Sequence, residues 1–326
     1  MVASISDVAK LAGVSKSTVS LVCNNKGYVS PETREKIERA MAELNYTPSA
    51  LGQNLKLRRS GIIGIIVPDI SHPFFSTFLK YAEKSLYRRG YKTMVCGTAG
   101  RQDVEEAYLQ MLERRTMDGI IMGAHSQKVE RYLRTNRPIV ALDRFLSEDI
   151  PVVRSNKAQI AELAAGLLLK RGRRHIAQLV SSYTVPNFEL EKDETFVRLM
   201  AQGGAEVTDV SVGYNAFTEE QYALAAQRLF RRCPNVDGIV GTDMAVLACM
   251  AEAHRRGLRV PEQISMVAID GTYVTRIGEM TLTAIVQPME AMAEQAVDLV
   301  LQLLEEGAER PASPALEVTV QEGESC

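Results

Sequence analysis

Two short apolar periodicities separated by one glycine, within residues 4–22, constrain this chain more than any other stretch. Val8, Leu11 and Ala12 recur at helical spacing and are expected to form one apolar face. Gly13 follows, with the permissive backbone that a sharp helix end requires. Ser15 stands where a second helix needs a cap, and Val19 and Val22 point that helix back onto the first. Two short helices joined by a tight turn are the arrangement that lays a helix in the DNA major groove. The second helix leaves Lys16, Ser17, Thr18 and Ser20 outward, short polar or cationic groups suited to phosphates and base edges.

Charge follows the same division. Over 326 residues the net charge is −2, which by itself does not point to nucleic acid. Residues 1–60, however, hold nine Lys and Arg against five Asp and Glu, while the remainder holds 29 against 35. A basic head on an acidic body is the footprint of phosphate contact at one end only. The length leaves room for a large second module behind a small head. Cysteines at 23, 96, 233, 249 and 326 are isolated, as expected of idle thiols in a reducing compartment. Met1 runs directly into the helix pattern without a secretory leader, and no apolar run reaches membrane-spanning length. The expectation is a soluble, intracellular protein with no membrane partner.

Ser30-Pro31-Glu32 opens a third helix with a cap and a proline at its first position, and Ile37, Ala40, Met41 and Leu44 supply the stripe that closes a three-helix core. Residues 49–56 form an amphipathic piece too short to be a stable helix alone, followed by a basic connector over 57–60. From Gly61 strands alternate with helices. Strands are expected at Ile62–Val67, Thr93–Cys96, Gly119–Met122, Ile139–Leu142, Ile176–Val180, Gly238–Gly241 and Ser265–Ile269. Helical stretches between them include 74–89, 102–115, 157–170, 218–231, 243–256 and 288–305. This alternation argues for α/β architecture with parallel sheets covered on both faces, and two sheets fit the length better than one. Ligands bind beyond the carboxyl ends of such strands, here 68–75, Asp143-Arg144, Thr242-Asp243 and Asp270-Gly271.

The run Ile5–Ser20, then 24–30, Thr33-Arg34, Leu44-Asn45-Tyr46 and Pro48, resembles the lactose-repressor/galactose-repressor family. The resemblance continues through 63–68, Pro73-Phe74-Phe75, Gly90-Tyr91, 118–121 and Arg259-Val260-Pro261, and so spans the chain. Asp118–His125 and 143–146 followed by 150–153 look most like sugar-operon repressors of the sucrose or ribose kind. The resemblance implies an all-α helix-turn-helix domain at 1–48, a hinge helix and linker at 49–60, and a two-lobed, periplasmic-binding-protein-like domain at 61–326. Its N-lobe would take about 61–155 and 287–315, and its C-lobe about 156–286 and 316–326. It also implies a homodimer on a pseudo-palindromic double-stranded operator, with no cofactor.

Family positions place Lys16, Ser17 and Leu21 toward base edges, and Thr18, Ser20, Asn24 and Thr33 near phosphates; Ser6, Ser15, Tyr28, Tyr46 and Ser49 complete the expected DNA-binding set. Leu21 departs from a common arginine, exchanging a bidentate guanine contact for an apolar one. Leu55 matches the minor-groove wedge of the hinge, for which unstacking is offset by contacts that the bend permits. Simple packing of two hinges against each other is the other reading of Leu55. Gly52 stands in place of alanine and weakens hinge-helix propensity by about 1 kcal/mol.

The same family positions put Phe74, Asp143, Phe217, Thr242 and Asp270 around a small-molecule cleft, with Ile70 and Ser71 on the adjoining loop. Carboxylates on hydroxyls and an aromatic face on a ring suit a sugar or sugar phosphate. Helix capping is the alternative role for Asp143, Asp243 and Asp270, and core packing is expected for Phe75 and Phe78. Lys192 replaces a common arginine among acidic neighbours, so a ligand contact and a surface salt bridge are both open to it. Ser155-Asn156 similarly replaces a common Asp-Asn pair.

Other classes fare worse. A sugar-binding transport protein would share the two-lobed body without the head. The histidines at 72, 125, 175 and 254 fall at unrelated spacings, and neither a nucleophile elbow nor a phosphate-cradling glycine loop occurs, so an enzyme is not expected. The run Lys170–His175 reads as a helix end and turn rather than a second nucleic-acid site. Control by a protein partner stays open as an alternative to control by a small molecule.

Overall fold

Ser4 opens the first helix, α1 (Ile5–Ala12), by donating its backbone N–H and its hydroxyl to the Asp7 carboxylate at 2.9 and 2.7 Å. Gly13, at φ 67°, closes it in the left-handed conformation that a side chain would resist. In α2 (Lys16–Cys23) the Thr18 N–H donates to Ser15 Oγ at 3.1 Å; in α3 (Pro31–Glu43) the Thr33 N–H donates to Ser30 Oγ at 3.3 Å. Val8, Ala9, Val19, Val22, Ile37 and Ala40 are buried between the three helices. Leu11 departs from expectation and is 46 % exposed. The buried stripe of α1 runs through Ile5, Val8, Ala9 and Ala12, a spacing of i, i+3, i+4 and i+7 that leaves residue 11 outside it.

The computed structural model describes residues 3–24, 27–47, 59–181, 188–213, 217–305 and 313–326. The chain divides into two compact units, 1–60 and 61–326. Ser49, Gly52 and Leu55 of the expected hinge, and Pro48, lie outside the described residues.

The larger unit has two lobes, each a twisted sheet between helices. The first sheet has β1 (Ile62–Val67), β2 (Lys92–Gly97), β3 (Gly119–Met122), β4 (Ile139–Leu142) and β5 (Val152–Val153), in the order β2-β1-β3-β4-β5 and parallel throughout. The second has β6 (His175–Ser181), β7 (Glu206–Gly213), β8 (Gly238–Thr242), β9 (Ser265–Asp270), β10 (Thr283–Val286) and β11 (Thr319–Gln321), in the order β11-β10-β9-β8-β6-β7. Its strands are parallel except where β11 runs against β10. Buried Ile, Val and Leu on both faces of β1, β3 and β4 explain why these strands read as continuous apolar runs.

In the first lobe, α4 (Pro73–Arg88), α5 (Gln102–Glu113) and α6 (Val129–Leu133) come from the chain between β1 and β5. Late in the sequence, α11 (Met289–Gln302) returns to this lobe and packs Met292, Val297 and Val300 into the core that holds Phe78 and Leu86. The second lobe holds α7 (Lys157–Lys170), α8 (Phe188–Gln202), α9 (Glu219–Arg232) and α10 (Asp243–Arg255).

Strands β5, β7, β10 and β11 were not expected. β5 and β11 are only two and three residues long, and β7 is an edge strand whose residues are mostly half-exposed or exposed. Such strands carry little apolar pattern. The 170–175 run is the end of α7 and a turn through Gly172. Arg173 there donates to Ser265 Oγ at 3.0 Å and to the Pro261 and Glu262 carbonyls, which ties the turn to the start of β9.

Candidate functional site

The carboxyl ends of the two sheets face one cleft. Asp143 follows β4, while Ser181, Thr242 and Asp270 end β6, β8 and β9, and all four line it. The cleft measures about 1040 Å³ with its open mouth included. Asp143 and Asp270 have φ of 61° and 110°, values rarely adopted by non-glycine residues. Strain of this kind persists where surrounding structure enforces it, and here it sets the directions of two carboxylates at strand ends.

A buried charge network forms one side. Lys157, its side chain 2 % exposed, lies 2.7 Å from Asp143 and 2.5 Å from Glu189. Lys192 lies 2.7 Å from the other Glu189 oxygen and 3.4 Å from Asp193, which also accepts a hydrogen bond from Gln178 Nε2 at 2.5 Å. Burial opposes every charge in this chain of pairs, and their mutual attraction offsets it. Burial raises the Asp143 carboxyl, while Lys157 pulls against that rise. Burial also works on Glu189, but Lys157 and Lys192 together hold its carboxyl well below the usual range.

Asp270 has a different environment. Gln287 Nε2 donates to its Oδ1 at 2.7 Å, and Gln287 Oε1 accepts from Ser155 Oγ at 2.6 Å. Burial, and then the nearby Asp243, push the Asp270 carboxyl well above the carboxylate range. Asp243 accepts from the Gly271 N–H at 3.1 Å and from the Thr272 N–H and hydroxyl, each at 2.7 Å. Burial raises Asp243 to about 6 despite those donors. Asp243 thus fastens the loop after β9 rather than capping its own helix.

Aromatic rings also line the cleft and meet across the two lobes. His72 and Phe75 come from the start of α4, and Phe217 and Tyr222 from the start of α9. His72 meets Phe217 edge-on with centroids 5.3 Å apart, and Phe75 meets it at 5.9 Å. His72 Nε2 pairs with the Tyr222 hydroxyl at 3.1 Å. Burial lowers the His72 imidazole to about 4, so it is neutral at neutral pH.

Of the expected ligand residues, Phe74, Asp143, Lys192, Phe217, Thr242 and Asp270 share this lining. Ile70 and Ser71 do not. Ser71 turns its N–H and hydroxyl onto Asp69 Oδ1, both at 2.7 Å, and Ile70 lies over Gly97 at the sheet edge. Phe78 is core as expected; Phe75 is half-buried, packs against the same core and also lines the cleft, a second role that was not expected. Lys192 sits in a buried ion-pair network, not in a surface salt bridge. Asn156 caps α7 by accepting from the Gln159 N–H at 3.1 Å.

Lys157, Glu189, His72 and Tyr222 were missed. Lys157 carried a signal, since a lysine in the first turn of a helix opposes the macrodipole and needs a reason to be there. Glu189 carried a signal only toward Lys192, as one of its acidic neighbours; nothing in the sequence joined it to Lys157.

On the head, Lys16, Ser17, Leu21 and Tyr28 are exposed, and Ser6, Thr18, Ser20, Asn24, Thr33 and Tyr46 are half-buried. Ser15 is occupied locally, its hydroxyl 2.6 Å from Ser17 Oγ and 2.8 Å from Thr18 Oγ1. Leu21 lies against Gly27, and Asn24 Nδ2 donates to the Ser20 carbonyl at 2.6 Å.

Residues 4–49 match the bacterial regulatory proteins of the lacI family, and residues 60–320 match the periplasmic binding proteins and sugar binding domain of the LacI family. The sucrose operon repressor of Streptococcus mutans is 33 % identical over 326 residues, 100 % of both chains. The chain belongs to the lacI family. The ribose operon repressor of Halalkalibacterium halodurans is 34 % identical over 302 residues, covering 92 % of this chain and 90 % of that protein. In fold, this lacI-family chain resembles the lac repressor dimer bound to operator and the anti-inducer ONPF, with a TM-score of 0.86 and 22 % identity over 100 % and 99 % of the two chains. Membership makes it a transcriptional regulator and not an enzyme. Among the described residues no helix is long and apolar enough to cross a membrane.

Proposed function

We propose that this chain represses a carbohydrate-utilisation operon as a homodimer, and that a small polyhydroxy ligand in the interlobe cleft lowers its operator affinity. The observation that carries the reading is the cleft itself. Carboxylates at strand ends, set opposite aromatic rings, offer acceptors for hydroxyls and faces for a sugar ring. The names of the sucrose and ribose operon repressors support the same class of regulon.

A ligand shifts DNA affinity only through unequal affinity for the DNA-competent and incompetent arrangements. Closure of the cleft changes the angle between the lobes, and in this reading that change separates the hinge segments of the two subunits. Lys16, Ser17 and Leu21 face base edges and Thr18, Ser20, Asn24 and Thr33 face phosphates, while Leu55 enters the minor groove at the operator centre. A thermal-shift panel of sugars and sugar phosphates tests the cleft, because a ligand of the native state stabilises by RT ln(1 + [L]/Kd). A response abolished by Asp270→Ala supports the reading, and silence across the panel overturns it in favour of a protein partner.

Leu21 tests the head. Exchanging it for arginine is expected to move base preference under residue 21 toward guanine, with about 1–3 kcal/mol of discrimination. Unchanged preference in a randomised-operator binding selection contradicts that placement.

A further inference from the structure

We propose that Glu189 makes the cleft select an uncharged polyhydroxy ligand over the phosphate ester of the same ligand. This deepens the reading above and rests on it. A phosphate site needs cations whose charge is still available. Both cleft lysines are committed: Lys157 lies between Asp143 and Glu189, and Lys192 between Glu189 and Asp193. Glu189 is the member common to both pairs, one oxygen on each lysine, so a single carboxylate removes two cations from use.

The rest of the lining points the same way. His72 is neutral at neutral pH because of its burial. A helix N-terminus attracts anions, but α10 carries Asp243 at its own first residue. Asp270, its carboxyl raised well above the carboxylate range, brings no cation to the wall, and Arg144 shares the lining with Asp143 and Glu189. A phosphate dianion entering here displaces carboxylates from their lysines or stands beside them. A hydroxyl does neither, since it donates to a carboxylate and accepts from an ammonium in the pairs as they stand.

The test uses the full chain and matched pairs: fructose with fructose 6-phosphate, ribose with ribose 5-phosphate, and glucose with glucose 6-phosphate. Calorimetric titration of the native protein is expected to show at least one neutral sugar binding tenfold or more tightly than its ester. Glu189→Gln leaves Lys157 with Asp143 and Lys192 with Asp193, and is expected to narrow that ratio or reverse it. An ester that binds wild-type protein as tightly as its neutral sugar overturns the proposal and leaves the small-molecule reading standing. An unchanged ratio in the folded Glu189→Gln protein overturns the role of Glu189. If no member of any pair binds, the small-molecule reading fails and takes the proposal with it. The wild-type comparison decides selectivity even where the variant does not fold.

Discussion

Each lobe carries an aspartate with positive φ at the carboxyl end of an interior strand, and the two are held by different means. In the first, Asp143 pairs with Lys157, a cation brought from the second lobe. In the second, Asp270 has an amide donor, Gln287, and a second acid, Asp243, nearby. Burial raises both carboxyls; at Asp143 the Lys157 ammonium pulls against the rise, whereas at Asp270 the nearby Asp243 adds to it. The difference teaches that equivalent positions in similar lobes do not imply equivalent chemistry, and that Asp270 keeps more of its capacity for a ligand.

The largest effect separating the two ends is expected from their partners. Lys157→Met takes from Asp143 its ion-paired lysine and from Glu189 one of its two, and should cost on the order of 3 kcal/mol in chemical denaturation. Gln287→Leu strips a neutral donor from Asp270 and an acceptor from Ser155, and should cost less, about 1–3 kcal/mol. Equal losses would break the comparison.

Acid titration sharpens it next. Asp243 is raised to about 6, so between about pH 4 and 6 the folded state holds a proton that the unfolded state has released. Stability from this group therefore falls as pH rises through that window, by about 3 kcal/mol at most. His72 is lowered to about 4, so the unfolded state binds the extra proton and stability rises with pH from about 4 to 6.5. The two slopes oppose each other in the wild type. Asp270, raised well above the carboxylate range, adds a falling slope of its own, so Asp243→Asn should flatten the net fall and His72→Phe should steepen it, both read from denaturation midpoints at stepped pH.

The smallest expected effect lies in binding. Asp270→Ala should weaken a bound sugar tenfold or more, whereas Asp143→Asn, at a carboxylate already engaged by Lys157, should weaken it less. Titration calorimetry with the sugar found in the thermal-shift panel gives the order, and the reverse order means that the first-lobe aspartate is the principal contact.

The head was legible because its determinants are local. Ser4 with Asp7, Ser15 with Thr18 and Ser30 with Thr33 each act within three residues, and Gly13 ends its helix by its own backbone. Leu11 was misread because two helical periodicities fit eight residues, and only packing on both neighbours selects one. Strand-end residues of the cleft were legible from the apolar runs that precede them. The charge network was not: Lys157 reaches Asp143 and Glu189 from a third element, and Gln287 reaches Ser155 across 132 positions of sequence. No local period encodes such pairings, nor the turn that carries the Ser71 N–H and hydroxyl onto Asp69 and keeps Ile70 and Ser71 out of the lining.

Operator binding with and without sugar measures the coupling proposed between cleft and head. Fluorescence anisotropy of a duplex selected from a random library, at one fixed salt concentration, measures affinity of the full chain with and without a saturating sugar. A tenfold or greater loss of operator affinity with sugar is expected, about 1.4 kcal/mol of coupling, and no loss in Asp270→Ala. Operator affinity that is unchanged or raised at saturating sugar contradicts it.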